Sequence, residues 1–234
     1  MGFRGRDVRR GAYDVGVTPT APRIKFCGIT RVEDATHAAS LGAWAIGMIL
    51  WPGSVRAIDV DAASGVAAAV RRRVEVAGVF VNPGLDEVVA SAEAIGLTTV
   101  QLHGQEGPAF CAEVARRTGC RVIKAVRVHS GADIQALSVF HTDFHLLDSY
   151  VPGLHGGTGE TFNWSLAAAH GGSVPVILSG GLTASNVGEA IAAVRPHAVD
   201  VASGVERAPG IKDPELMSAF AAAVADSVAP VAAP

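Results

Sequence analysis

From Arg23 onward the chain repeats one pattern eight times: a short apolar or β-branched run, a loop, then an alanine-rich segment with helical spacing. That repeat restricts the fold more than any single motif. Runs that are apolar nearly throughout read as strands covered on both faces, and strands alternating with helices imply a parallel sheet. The predicted strands are RIKFC (23–27), WAIGMIL (44–50), EVAGVFV (75–81), TTVQL (98–102), RVIKAV (121–126), DFHLLD (143–148), VPVILS (174–179) and HAVDVA (197–202). Predicted helices include 32–42, 59–72, 85–96 and 184–194, several opening near Asp, Ser or Thr and closing near glycine, as 85–96 does at Gly96. Within 85–96, Val88, Val89, Ala92 and Ile95 share one face of a 3.6-residue period and so suit packing on a sheet. Eight such units in roughly 200 residues fit a single-domain closed (β/α)8 TIM barrel better than an open doubly wound sheet. No G-x-G-x-x-G turn follows the first run.

Outside the repeat, residues 1–22 mix arginines and aspartates without an apolar core, which reads as a floppy extension and not as a signal peptide. Residues 226–234 read as a flexible tail, leaving 23–225 for the barrel. Apolar residues make up 49% of the chain, charged residues 18%, and the formal net charge is -3. These values exclude bulk attraction to nucleic acid. No apolar run approaches the length needed to span a bilayer, so no membrane partner is expected. The chain has 3 cysteines, Cys27, Cys111 and Cys120, without the paired spacing of a structural zinc site. We therefore expect no metal and a reducing, cytoplasmic compartment, with Cys111 and Cys120 serving as small packing residues in or beside a helix.

In a barrel of this type chemistry sits at the C-terminal ends of the strands and in the loops that follow. Applied to this chain, the rule selects Cys27 at the end of the first strand, Arg56 after the second, Gln101 and His103 closing the fourth, and Asp148 ending the sixth. It also selects SGG (179–181) after the seventh strand and SGVE (203–206) after the eighth. Gly180, Gly181, Ser203 and Gly204 could converge backbone N–H groups on a phosphate. HGGTGETFNW (155–164), with Gly156 and Gly157, has the glycine content of a loop that closes over a ligand. Cys27 and Asp148 offer a base and an acid, and Lys25, on the same strand face as Cys27, is expected to favour the thiolate. Asp200 is expected to face Lys25, because the first and eighth strands of a closed barrel are neighbours.

KFCGIT (25–30), GMILWPGSVRAI (47–58), AGVFVN (77–82), VQLHG (100–104), VIKAV (122–126), LLD (146–148), GGTGETFNW, LSGGL (178–182) and DVASGVE (200–206) occur together in an order that resembles the phosphoribosylanthranilate isomerase family of tryptophan biosynthesis. The resemblance spans roughly residues 23–224, the whole predicted barrel. It implies a cofactor-free Amadori rearrangement of a small-molecule substrate, N-(5-phosphoribosyl)anthranilate. In that scheme Cys27 is the general base and Asp148 the general acid. Arg56 receives the anthranilate carboxylate, and Gly180, Gly181, Ser203 and Gly204 hold phosphate, with Gly156 and Gly157 as further candidates. In the family His103 ends the fourth strand near the site, though a histidine hydrogen-bonded in a loop reads equally well, and Asp200, facing Lys25, is expected to position the base or the substrate hydroxyls. A monomer and a homodimer are both compatible.

Two positions depart from the family's GGTGKTFDW: Glu160 stands for lysine and Asn163 for aspartate. Neither carries a proton transfer in the implied scheme, so loop packing or substrate affinity is where a change is expected. Three other readings compete. A related barrel isomerase acting on a different or additional phosphoribosyl aminoaldose would use a carboxylate where Cys27 stands. A barrel that only binds sugar phosphates would lack the acid or the base, and a redox role fails on cysteine spacing.

Overall fold

The computed structural model describes residues 21–148, 164–168 and 170–227. Eight parallel strands close into a barrel in sequence order: β1 Arg23–Cys27, β2 Ala45–Ile49, β3 Glu75–Phe80, β4 Thr99–Leu102, β5 Arg121–Arg127, β6 Phe144–Asp148, β7 Val176–Ser179 and β8 Ala198–Val201. The first and last strands seal the wall, with Lys25 in register with Asp200 on one side and with Ala45 on the other. The helices are α1 Val32–Ser40, α2 Val60–Val70, α3 Leu85–Ile95, α4 Pro108–Thr118, α5 Gly131–Gln135, α6 Trp164–Ala168, α7 Val187–Val194 and α8 Pro214–Asp226.

Alternation along each strand divides the apolar residues into two cores. Ile123, Ala125, Phe144, Leu146, Ile177 and Ala198 form one inside the barrel, while Phe26, Ile46, Val100, Leu102, Val199 and their neighbours pack outward against the helices. Phe26 and Phe220 meet edge to face at 6.3 Å and join α8 to β1. Helix ends follow their capping chemistry. Asp59 accepts from the Ala62 amide at 2.8 Å, and Gly96 and Gly119 close α3 and α4 in the left-handed region.

The predicted strands agree with the observed ones to within 2 residues at each end, while the helix predicted over 184–194 begins late, at Val187. The reason is local: Asn186 Oδ1 accepts from the Thr183 amide at 2.8 Å and Thr183 Oγ1 bonds Ser185 Oγ at 2.9 Å, so 183–186 is a side-chain-bonded turn that leads into the helix. A short antiparallel hairpin, β9 Glu206–Ala208 and β10 Ile211–Lys212, follows β8. Nothing in the sequence pattern announced it. The extension 1–20, the stretch 149–163 and the tail 228–234 lie outside the described residues.

Candidate active site

Cys27 closes β1 facing the barrel interior, 6% exposed. Two residues earlier on the same face, the fully buried Lys25 places Nζ 2.8 Å from Asp200 Oδ1, and Asp200 Oδ2 accepts from Ser179 Oγ at 3.0 Å. Although burial opposes its charge, the neighbouring Asp200 and Cys27 hold the Lys25 ammonium up to about 12. On β2, a Cβ built at Gly47 would lie 2.9 Å from both Cys27 Sγ and Lys25 Nζ. Glycine there is the space that lets thiol and ammonium stand side by side.

Lys25 does favour the thiolate, as expected, but it does not decide the outcome. Burial pushes the Cys27 thiol above its ordinary 9.0; Lys25 and Lys212 oppose that shift without overcoming it, and Asp200 adds to it. Cys27 is therefore a thiol at neutral pH. In an ultraviolet thiolate titration, taken as wild type minus Cys27→Ser, the midpoint is expected above 9.0. Lys25→Met should move it higher still, since the variant loses the ammonium that favours the anion. A midpoint below neutrality would contradict this electrostatic account.

Arg56 reaches the same place from the loop after β2. Its side chain crosses Gly28, where a Cβ would lie 2.7 Å from Arg56 Cδ and where φ is +72°. Only glycine accepts both the backbone turn and the contact. The guanidinium fork is already engaged: Nε donates to Glu206 Oε1 at 2.9 Å and Nη2 donates to Glu206 Oε2 at 2.7 Å. Glu206 in turn accepts from Lys212 Nζ at 2.8 Å. Glu206 and Lys212 join Arg56 in this cluster, and sequence reasoning gave neither a role. The one signal was the position of Glu206 at the end of SGVE.

Asp148 ends β6 across the barrel mouth. His103 Nε2 lies 3.4 Å from Asp148 Oδ2 but makes no hydrogen bond there, so this buried nitrogen has no partner among the described residues. Gln101 Nε2 approaches His103 Nδ1 at 3.4 Å, and the buried Gln101 Oε1 has no hydrogen-bond partner among the described residues. The loop carrying His103 is fixed from behind. Lys124 Nζ donates to Gly104 O at 2.8 Å and to Glu106 Oε2 at 2.7 Å, and Glu106 accepts from the Asn82 amide at 2.7 Å.

The two glycine turns after β7 and β8 touch. A Cβ at Gly204 would lie 1.9 Å from the carbonyl oxygen of Leu182, and Gly180 and Gly181 take φ of +96° and +63°. Gly180, Gly181, Ser203 and Gly204 are thus brought together at one side of the mouth. Gly204→Ala forces two backbone segments apart, and an overpacking cost of about 1–3 kcal/mol in denaturant unfolding is expected, with weaker competitive inhibition by inorganic phosphate. Unchanged stability would show that the contact is not this close. Gly156, Gly157, Glu160 and Asn163 lie outside the described residues. Among the described residues no cluster of three or more His, Cys, Asp or Glu is placed to hold a metal, and no helix is long and apolar enough to cross a membrane.

A cysteine ending β1, an aspartate ending β6 and paired glycine turns after β7 and β8 meet in one barrel mouth. Residues 24–223 match the family model described as N-(5'phosphoribosyl)anthranilate (PRA) isomerase. The chain belongs to this family. A relative of that name from Citrifermentans bemidjiense is 46% identical over 193 residues, covering 82% of this chain and 92% of its own. Another, from Chromohalobacter salexigens, is 48% identical, covering 89% and 96%. Among solved structures, the Thermotoga maritima phosphoribosyl anthranilate isomerase superposes with a TM-score of 0.79 at 40% identity, covering 87% of this chain and 98% of its own. A further isomerase of the family was solved in complex with reduced 1-(o-carboxyphenylamino)-1-deoxyribulose 5-phosphate; it is 37% identical with a TM-score of 0.75. A thiamine phosphate pyrophosphorylase from Pyrococcus furiosus, 16% identical at a TM-score of 0.65, shares the fold alone.

Proposed function

We propose that this chain converts N-(5-phosphoribosyl)anthranilate to 1-(2-carboxyphenylamino)-1-deoxyribulose 5-phosphate in tryptophan biosynthesis, as a phosphoribosylanthranilate isomerase. The observation that carries the reading is the Cys27 thiol held beside Lys25 at the end of β1, in the same mouth as Asp148. Asp148 donates a proton to the furanose ring oxygen, the C1–O bond breaks, and the anthranilate nitrogen takes up the cation as an iminium. The iminium's charge favours loss of the Cys27 thiol proton to solvent, and the thiolate so formed removes the proton from C2. Those electrons form the C1–C2 double bond and neutralise the nitrogen, and the enaminol then loses its C2 hydroxyl proton and gains one at C1 to become the ketone. No cofactor enters, because the substrate's own nitrogen is the electron sink. The high resting pKa of Cys27 fits this order: the iminium brings a positive charge next to the thiol at the step that needs the thiolate.

Arg56 faces the anthranilate carboxylate with the edge of its fork that Glu206 leaves free. Gly180, Gly181, Ser203 and Gly204 take the phosphate, helped by Gly156 and Gly157. Asp200 fixes Lys25, and His103 stands behind Asp148. Free, buried Cys27, Cys111 and Cys120 suit a reducing cytoplasm, and a net charge of -3 gives nucleic acid nothing to hold. The test is the fluorescence decay of freshly prepared phosphoribosylanthranilate with purified protein. Saturable turnover inhibited by phosphate is expected; tight phosphate binding without turnover would return the binding-only reading to favour.

A further inference from the structure

Arg56 can receive a carboxylate only if its guanidinium is held still with one edge outward, and the groups that hold it come from the hairpin after β8, outside the eight barrel strands. Glu206, its side chain 4% exposed, grips the Nε and Nη2 edge in a bidentate pair, with N···O distances of 2.7–3.0 Å. Behind it, the fully buried Lys212 Nζ donates to Glu206 Oε1 at 2.8 Å and to Ala202 O at 3.0 Å. The Gly210 amide adds a longer bond to Glu206 Oε1 at 3.3 Å.

The hairpin is itself tied to the loop after Cys27. Thr30 Oγ1 donates to Gly210 O at 2.5 Å, and the Lys212 amide donates to Asp34 Oδ2 at 3.2 Å. One carboxylate between two cations leaves a net positive charge of one on the cluster, in which Glu206 and Lys212 are buried and the Arg56 side chain is 23% exposed. The partly exposed guanidinium is where a ligand carboxylate would neutralise that charge.

We propose that Glu206, backed by Lys212, is the positioning residue that sets Arg56 for the carboxylate of the substrate, so that the hairpin 206–212 governs affinity for the aromatic acid half of the molecule. The inference rests on the isomerase reading above, in which Arg56 meets that carboxylate. The test is steady-state kinetics with phosphoribosylanthranilate on the wild type, Glu206→Gln, Arg56→Met and the double variant. Glu206→Gln is expected to raise KM about 10- to 100-fold, the worth of a charged hydrogen bond, with kcat nearly unchanged.

In the Arg56→Met background the same substitution should add nothing, because its effect passes through Arg56. Glu206→Asp, which keeps the charge, should recover part of the loss; it also supplies the reading if the glutamine variant fails to fold. An undiminished penalty in the Arg56→Met background, or a fall in kcat with KM unchanged, would overturn the proposal while leaving the isomerase reading intact. Wild type without turnover would sink both.

Discussion

Cys27→Ser is expected to lower kcat by about 10²- to 10⁴-fold, the usual span of a lost general base, while KM for phosphoribosylanthranilate stays near its wild-type value. Serine matches the thiol in shape and fits the same slot beside Gly47, so the buried Lys25–Asp200 pair is left in place. What changes is acidity. Burial already pushes the Cys27 thiol above 9.0, and a hydroxyl in its position is far harder to ionise, so even the iminium's charge cannot produce a useful base. Retention of most of kcat would mean that another group takes the C2 proton.

Asp148→Asn is expected to cost a comparable factor, also in kcat, at an earlier step. The carboxyl at the end of β6 is 17% exposed, open enough to meet a ligand. The amide keeps the shape but has no acidic proton to give the ring oxygen, so opening of the sugar becomes limiting. Near wild-type activity of Asp148→Asn would remove Asp148 from the mechanism.

The barrel was legible because each strand is built around a run of buried, largely apolar residues; β1 reads and forms as Arg23–Cys27 without an error at either end. The strand-end rule selected Cys27, Arg56, Asp148 and the glycine turns, and the structure places Cys27 and Asp148 as the last residues of β1 and β6. Asp200 was placed opposite Lys25 by closure of the sheet alone, and the two meet at 2.8 Å.

What stayed hidden depends on tertiary approach. Glu206–Lys212 is charged and too short for a visible alternation, so a hairpin there has no signature, and Lys212 looks like a surface lysine although it is fully buried. Gly47 and Gly28 matter through what would strike their absent Cβ atoms, a fact no local pattern contains. The net shift of Cys27 was out of reach for the same reason, because desolvation is a property of everything packed around the thiol.

The assignment of base and acid to separate steps is tested most directly with substrate carrying deuterium at C2, measured as the isotope effect on kcat in Cys27→Ser and in Asp148→Asn. If Cys27 takes the C2 proton and Asp148 opens the ring, residual turnover of Cys27→Ser will show a full primary effect. Asp148→Asn, limited by ring opening, will show almost none. The reverse pattern, or equal effects in both variants, would contradict Cys27 as the base and Asp148 as the acid.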